Sequence, residues 1–242
     1  MKNYLKLSLF SLAIVLIISG CVQKNKPNNK VATSTNPVIN NPAKVTSSFK
    51  FFYDDVLGVT IPYEPGLTPS VKEEEGMNDD GKSVGLRRVI YLKEASSSYP
   101  YFFAFASTPD YLFPPTAGCC FDYSHEPVDV SLPEETLSKT LRFRHLNNVR
   151  KIDVSGKTII RFSGFGGDES SDWLNEYALA PLNKGKFTNI LFTGPRIYDV
   201  SSEDENYQEK VKKMKEGDFK IEDSTKLEIE EFDRLLKELK FN

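Results

Sequence analysis

The sequence predicts an α+β domain over residues 49–242, a mostly antiparallel β-sheet with helices packed on it. Three observations carry that expectation. Short aromatic and β-branched runs recur between turns rich in Gly, Asn and Ser, the pattern of successive hairpins. One run, Tyr101–Ser107 (Tyr-Phe-Phe-Ala-Phe-Ala-Ser), is apolar at odd and even positions alike, as a central strand covered on both faces must be. Finally, Thr225–Leu239 sets Leu227, Phe232, Leu235, Leu236 and Leu239 at the spacing of a helix with one apolar face.

In chain order, Phe49–Tyr53 and Val56–Tyr63 read as strands around an Asp54-Asp55 turn, closed by Glu64-Pro65-Gly66. Thr68–Gly85 is polar and acidic and reads as a loop. Leu86–Leu92 and Tyr101–Ser107 are strands joined by a Ser-rich turn, and Pro109–Asp129 is a long excursion bearing prolines and aromatics. Ser131-Leu132-Pro133-Glu134 has capping-box spacing and starts a helix that runs through Leu137 and Leu141 toward Phe143 or Arg144. Ile152–Val154 and Lys157–Phe162 flank Ser155-Gly156 as a hairpin, and Trp173–Leu182 with Phe187–Thr193 makes another. Between them, Gly164-Phe165-Gly166-Gly167-Asp168 reads as a flexible loop without the basic residue that a phosphate cradle wants. Glu203–Lys215 reads as a solvated helix.

The segment before residue 49 has a different character. Lys2 and Lys6 precede an apolar run, Leu7–Ile18. Roughly a dozen helical residues span about 18 Å, short of a hydrocarbon core of about 30 Å, so the run is an export signal rather than a membrane helix. It ends in Ile18-Ser19-Gly20-Cys21, which resembles a lipobox. Small residues let the chain lie extended in a peptidase, and the Cys21 thiol is the nucleophile that takes diacylglycerol. The expectation is a signal peptide over 1–20, cleaved to leave a lipidated Cys21 and a protein held on the extracytoplasmic face of an inner or outer membrane. Val22–Ser48 lacks aromatics and is rich in Asn, Lys, Pro, Ser and Thr, a disordered tether that reaches about 30 Å if flexible.

The net charge of -3 hides an asymmetry. No Asp or Glu precedes Asp54, while Lys24, Lys26, Lys30 and Lys44 lie in the tether. The domain beyond is acidic, which argues against a nucleic-acid partner.

Three stretches resemble the PsbP-like domains, a family named for an extrinsic protein of photosystem II and found in bacterial lipoproteins. They are Phe52–Gly66 (Phe-Tyr-Asp-Asp-Val-Leu-Gly-Val-Thr-Ile-Pro-Tyr-Glu-Pro-Gly), the hairpin Ile152–Phe162 and the end Glu230–Asn242, a helix running into a short Phe-containing edge segment. Glu64 interrupts the family's Tyr-Pro pair, and the 109–129 excursion has no counterpart in it. The resemblance implies a small accessory or assembly module with an envelope protein partner. It carries no catalytic residue and no cofactor.

Other constellations leave several readings open. With Cys21 acylated, Cys119 and Cys120 have only each other as intramolecular thiol partners, and a vicinal disulfide between them would be strained and labile. The pair is a buried structural turn, a redox or ligand contact, or part of a soft-metal site with His125. His145 lies among Arg142, Arg144 and Arg150 and reads as a surface residue. Asn78-Asp79-Asp80-Gly81 and Asp199–Glu205 carry calcium-ligand residue types without a complete ligand spacing, so both read as solvated. Tyr111, Phe113, Phe121 and Tyr123 crowd the 109–129 excursion, as a contact loop or as a mini-core pinning it. The leading expectation is a membrane-anchored, non-enzymatic binding or assembly module. The alternatives are an extracytoplasmic enzyme with a site of dispersed carboxylates or of Cys119 and Cys120, and a carrier of a small ligand or metal.

Overall fold

The computed structural model describes residues 48–78, 80–94, 101–111, 127–141, 146–167, 170–182 and 185–242, with the side chains of Tyr101 and Phe102 excepted. The fold over these residues is α+β, with antiparallel sheets and three helices. The strands are β1 (Lys50–Asp54), β2 (Val59–Tyr63), β3 (Leu67–Met77), β4 (Ser83–Glu94), β5 (Tyr101–Ser107), β6 (Leu146–Val154), β7 (Lys157–Gly167), β8 (Ser171–Pro181), β9 (Asn189–Ser201) and β10 (Lys240–Phe241). The helices are α1 (Glu134–Thr140), α2 (Tyr207–Glu216) and α3 (Asp223–Lys237).

A seven-stranded sheet runs in the order β3-β4-β5-β9-β8-β7-β6. It consists of two meanders, β3-β4-β5 and β6-β7-β8-β9, joined where Ala104–Ser107 of β5 pairs with Asn189–Phe192 of β9. A small sheet, β1-β2-β10, brings both ends of the domain together on β2.

Phe103–Ser107 of β5 are all buried, as a strand covered on both faces requires. One face of the large sheet packs Ile90, Leu92, Phe103, Ala104, Ile159, Ala178 and Phe192 against Leu57, Val59 and Ile61 of the β1–β2 segment and Phe232, Leu235, Leu236 and Leu239 of the C-terminal segment. The opposite face packs Val89, Phe105, Ile160, Phe162, Leu179 and Leu191 under Leu137 and Leu141. A third cluster holds α2 to the far ends of β8 and β9 through Leu174, Ile197, Val200, Val211 and Met214.

Several local expectations are corrected. Thr68–Gly85 is not a loop but most of β3, its turn and the start of β4. The acidic run belongs to an edge strand whose charges are answered across the ladder. Glu74 lies opposite Arg87 and Glu73 opposite Arg88, and both pairs are salt bridges, the second at 3.0 Å. Gly164–Gly167 is likewise strand, the end of β7. There glycine makes room: a Cβ on Gly164 would lie 2.9 Å from the Tyr177 ring, and one on Gly166 would collide with the Trp173 indole.

The capping box is not made. Pro133 precedes the first turn of α1, Ser131 gives its hydroxyl and its N–H to Asp129 Oδ1 at 2.6 and 2.9 Å, and Glu134 accepts the Lys151 N–H. Helix α1 ends at Thr140 with Leu141 extended, so it does not run on to Phe143. Leu227 is 66% exposed, because at about 100° per residue it lies roughly opposite Ile229, which packs toward α2.

The two sheets are locked together by Asp54. Its carboxylate is 1% exposed, accepts the N–H groups of Val56 and Leu57 at 3.1 and 3.0 Å, and takes the Arg88 Nε at 2.9 Å. It therefore caps the turn after β1 and fastens the small sheet to β4. Asp54→Asn keeps the shape but uncharges a buried acceptor facing a guanidinium. A loss of about 2–4 kcal/mol is expected, read as a lower urea midpoint at unchanged slope.

Candidate functional site

The 109–129 excursion is gripped at both ends on one face of the large sheet. At its start, Thr108 Oγ1 accepts the Leu86 N–H and the Thr108 N–H donates to Leu86, both at 2.9 Å. Tyr111 N–H then donates to Thr108 at 3.1 Å. Gly85, in the left-handed region at φ +71°, lies against the Tyr111 backbone, where any Cβ would collide. The Tyr111 ring is 1% exposed, and the Arg87 guanidinium lies 5.6 Å from its centroid and 5.8 Å from that of Phe105. At the far end, Val128 N–H donates to Oδ1 of the buried Asn189 at 3.0 Å, and Val128, Val130 and Leu132 pack onto the α1 core.

Arg87 also pairs with Glu74, to which the Tyr91 hydroxyl donates at 3.3 Å. Burial alone would raise the Glu74 carboxyl, but the facing Arg87 and Lys72 hold it below the usual range. Burial pushes the Tyr111 phenol up, against the lowering field of Arg87.

Of the aromatics predicted to line this excursion, Tyr111 is an interior side chain that pins its root rather than an exposed contact. Phe113, Phe121 and Tyr123 lie outside the described residues, as do Cys119, Cys120, His125, His145 and Cys21 with the signal and tether. Among the described residues, no group of three or more His, Cys, Asp or Glu is placed to hold a metal ion. Asp199 pairs with Arg196 at 2.7 Å, and Asp204 accepts the Ser201 N–H.

A second constellation, not anticipated from the sequence, lies under α3. Arg161, 1% exposed, pairs with Glu176 and, at 3.0 Å, with Asp233 of the helix. Its Nη1 also donates to the Tyr177 carbonyl at 3.0 Å, and its guanidinium lies 4.7 Å from the Phe232 ring centroid. Ser163 donates its hydroxyl to Glu176 at 2.7 Å, and Arg150 reaches the other oxygen of Asp233 at 3.5 Å. Gly194 leaves room for the Phe232 ring. Every carboxylate here faces an arginine and the serine is committed to a carboxylate. The cluster therefore offers no general base or activated nucleophile; it fastens α3 to β7 and β8. The sequence signal was an arginine set between Ile160 and Phe162 in a strand with no room for solvent.

A third set closes the N-terminal entry of the domain. Arg234 lies 4.1 Å from the Phe49 ring centroid and pairs with Glu231, beside Glu64. Partial burial and then the Glu231 charge push the Glu64 carboxyl up.

Comparison with known proteins returns no match: no protein-family model, curated protein or solved structure matches this chain. No helix among the described residues is long and apolar enough to cross a membrane.

Two outcomes follow from these geometries. Arg161→Met strands buried Glu176 and should cost about 3–5 kcal/mol by urea unfolding, whereas Arg161→Met with Glu176→Leu should cost less than that single change. Glu64 behaves oppositely. Its raised carboxyl means the fold favours the protonated form, so a destabilising contribution sets in as the pH rises through the ordinary carboxylate range, where the unfolded chain ionises first. Glu64→Gln should raise the thermal midpoint at pH 7, and this gain should fade below that range; a gain equal at both pH values would contradict the assignment.

Proposed function

We propose that this chain is a lipoprotein anchored through diacylglycerol on Cys21, whose PsbP-like α+β domain works on the extracytoplasmic face as a non-enzymatic binding or assembly module. The 109–129 excursion is its contact surface for an envelope protein. The observation that carries the reading is the grip on that excursion. Tyr111, Thr108 and Gly85 hold its start and Asn189 its end, so both roots of the excursion are fixed to a rigid sheet, an arrangement suited to recognition.

The lipobox-like Ile18-Ser19-Gly20-Cys21 and the basic tether support the anchor, and the β1–β2 opening, the β6–β7 hairpin and the helix running into β10 support the family outline. The enzyme reading draws nothing from the carboxylates that the fold brings together, since Asp54, Glu74, Glu176 and Asp233 each face an arginine.

The test has two arms. Cys21→Ala should remove the acyl mass from the chain and move it from the membrane to the soluble fraction; a native chain without acyl groups would refute the anchor. Replacing residues 112–126 with a short Gly-Ser bridge should leave the thermal midpoint within a few degrees and abolish capture of the partner from solubilised native envelopes. Unchanged capture would refute the loop's role.

A further inference from the structure

Among the described residues, the large apolar side chains left exposed are Phe51, Tyr53, Val56, Met77 and Leu227. Three of these fall within one hexapeptide. On edge strand β1 the side chains alternate: Phe52 packs on the core and Asp54 is buried, while Phe51 and Tyr53 stand outward at 49% and 54% exposure. Across the sheet, Tyr53 pairs with Thr60 and Thr60 with Lys240, so the outer row ends in a cation. Lys240 Nζ lies 5.4 Å from the Phe51 ring centroid. Val56, 39% exposed, extends the patch into the turn, where Asp55 is the exposed acid beside it.

We infer that this outer face of the small sheet is a docking surface for an anionic lipid membrane, resting on the anchor reading above for the proximity of that membrane. The position of the patch selects this occupant. The chain enters the domain at Ser48, so Tyr53 lies within about 17 Å of the tether's attachment, at about 3.4 Å per extended residue. The sequence that precedes this strand carries Lys24, Lys26, Lys30 and Lys44, with no acid before Asp54. Aromatic rings settle at headgroup level, and each nearby lysine adds attraction to anionic lipid.

The test uses the chain from residue 21 to the C-terminus carrying Cys21→Ser, which has no acyl chain, and vesicles of phosphatidylcholine with or without phosphatidylglycerol. The parent should co-sediment with the phosphatidylglycerol vesicles. Phe51→Ser with Tyr53→Ser should weaken that binding about tenfold while the thermal midpoint is kept, as expected for exposed side chains. Lys240→Glu should weaken binding to the anionic vesicles alone. Parent-like binding by the double serine variant overturns the inference, as does no vesicle binding by the parent. So does self-association of the parent that the double variant abolishes, since the patch would then join two copies. Loss of the anchor reading is seen separately, in the mass of the native chain, and vesicle binding is read independently of it.

Discussion

The strands at the centre of this molecule are apolar on both faces, and the rest of the fold is arranged to cover them. Helix α1 and the segment leading to it supply one lid. The other is assembled from opposite ends of the domain: the β1–β2 hairpin at its start, and α3 with β10 at its finish. Pairing β10 with β2 closes that lid, so neither end is dispensable to the core. The pairing is also among the longest-range contacts in the chain, which is where loop-closure entropy weighs most on the rate of folding.

Where the lids meet the sheet, apolar burial gives way to a few sealed charges. Asp54 serves the turn after β1 and Arg88 at once, and Arg161 joins two strands to α3 through Glu176 and Asp233. Such pairs contribute little net stability compared with apolar replacements, but they penalise every arrangement that leaves one partner alone. Their value lies in fixing where the lids sit. A helix held only by Phe232, Leu235 and Leu236 could slide along the sheet; one that must also deliver Asp233 to Arg161 cannot do so without stranding a charge.

Elements that bury a continuous apolar run or close on a turn with left-handed residues were legible in the sequence. Tyr101–Ser107 showed its two-sided burial, and Ser155-Gly156 takes positive φ at both residues, as a tight hairpin needs. Strand β3 was illegible because its stability comes from its neighbour: an acidic segment reads as loop until Arg87 and Arg88 lie across from it. The glycines of β7 misled for the same reason, since they yield to the Tyr177 and Trp173 rings on another strand. The capping box failed because the cap of the helix falls two residues later than the motif requires, at Pro133, and Ser131 turns its hydroxyl to Asp129 instead. As for the candidate site, composition located the excursion but could not show that Tyr111 is its root, because that depends on Gly85 and Arg87 of the neighbouring strand β4.

The small sheet and the root of the excursion lie on opposite sides of the large sheet. Were β1 laid against lipid as proposed, the layer spacing of about 10 Å would set the excursion's root one sheet layer beyond the small sheet. The large sheet would then act as a spacer with a bottom and a top. A partner of the kind proposed would then be met on the side of the domain that faces away from the bilayer.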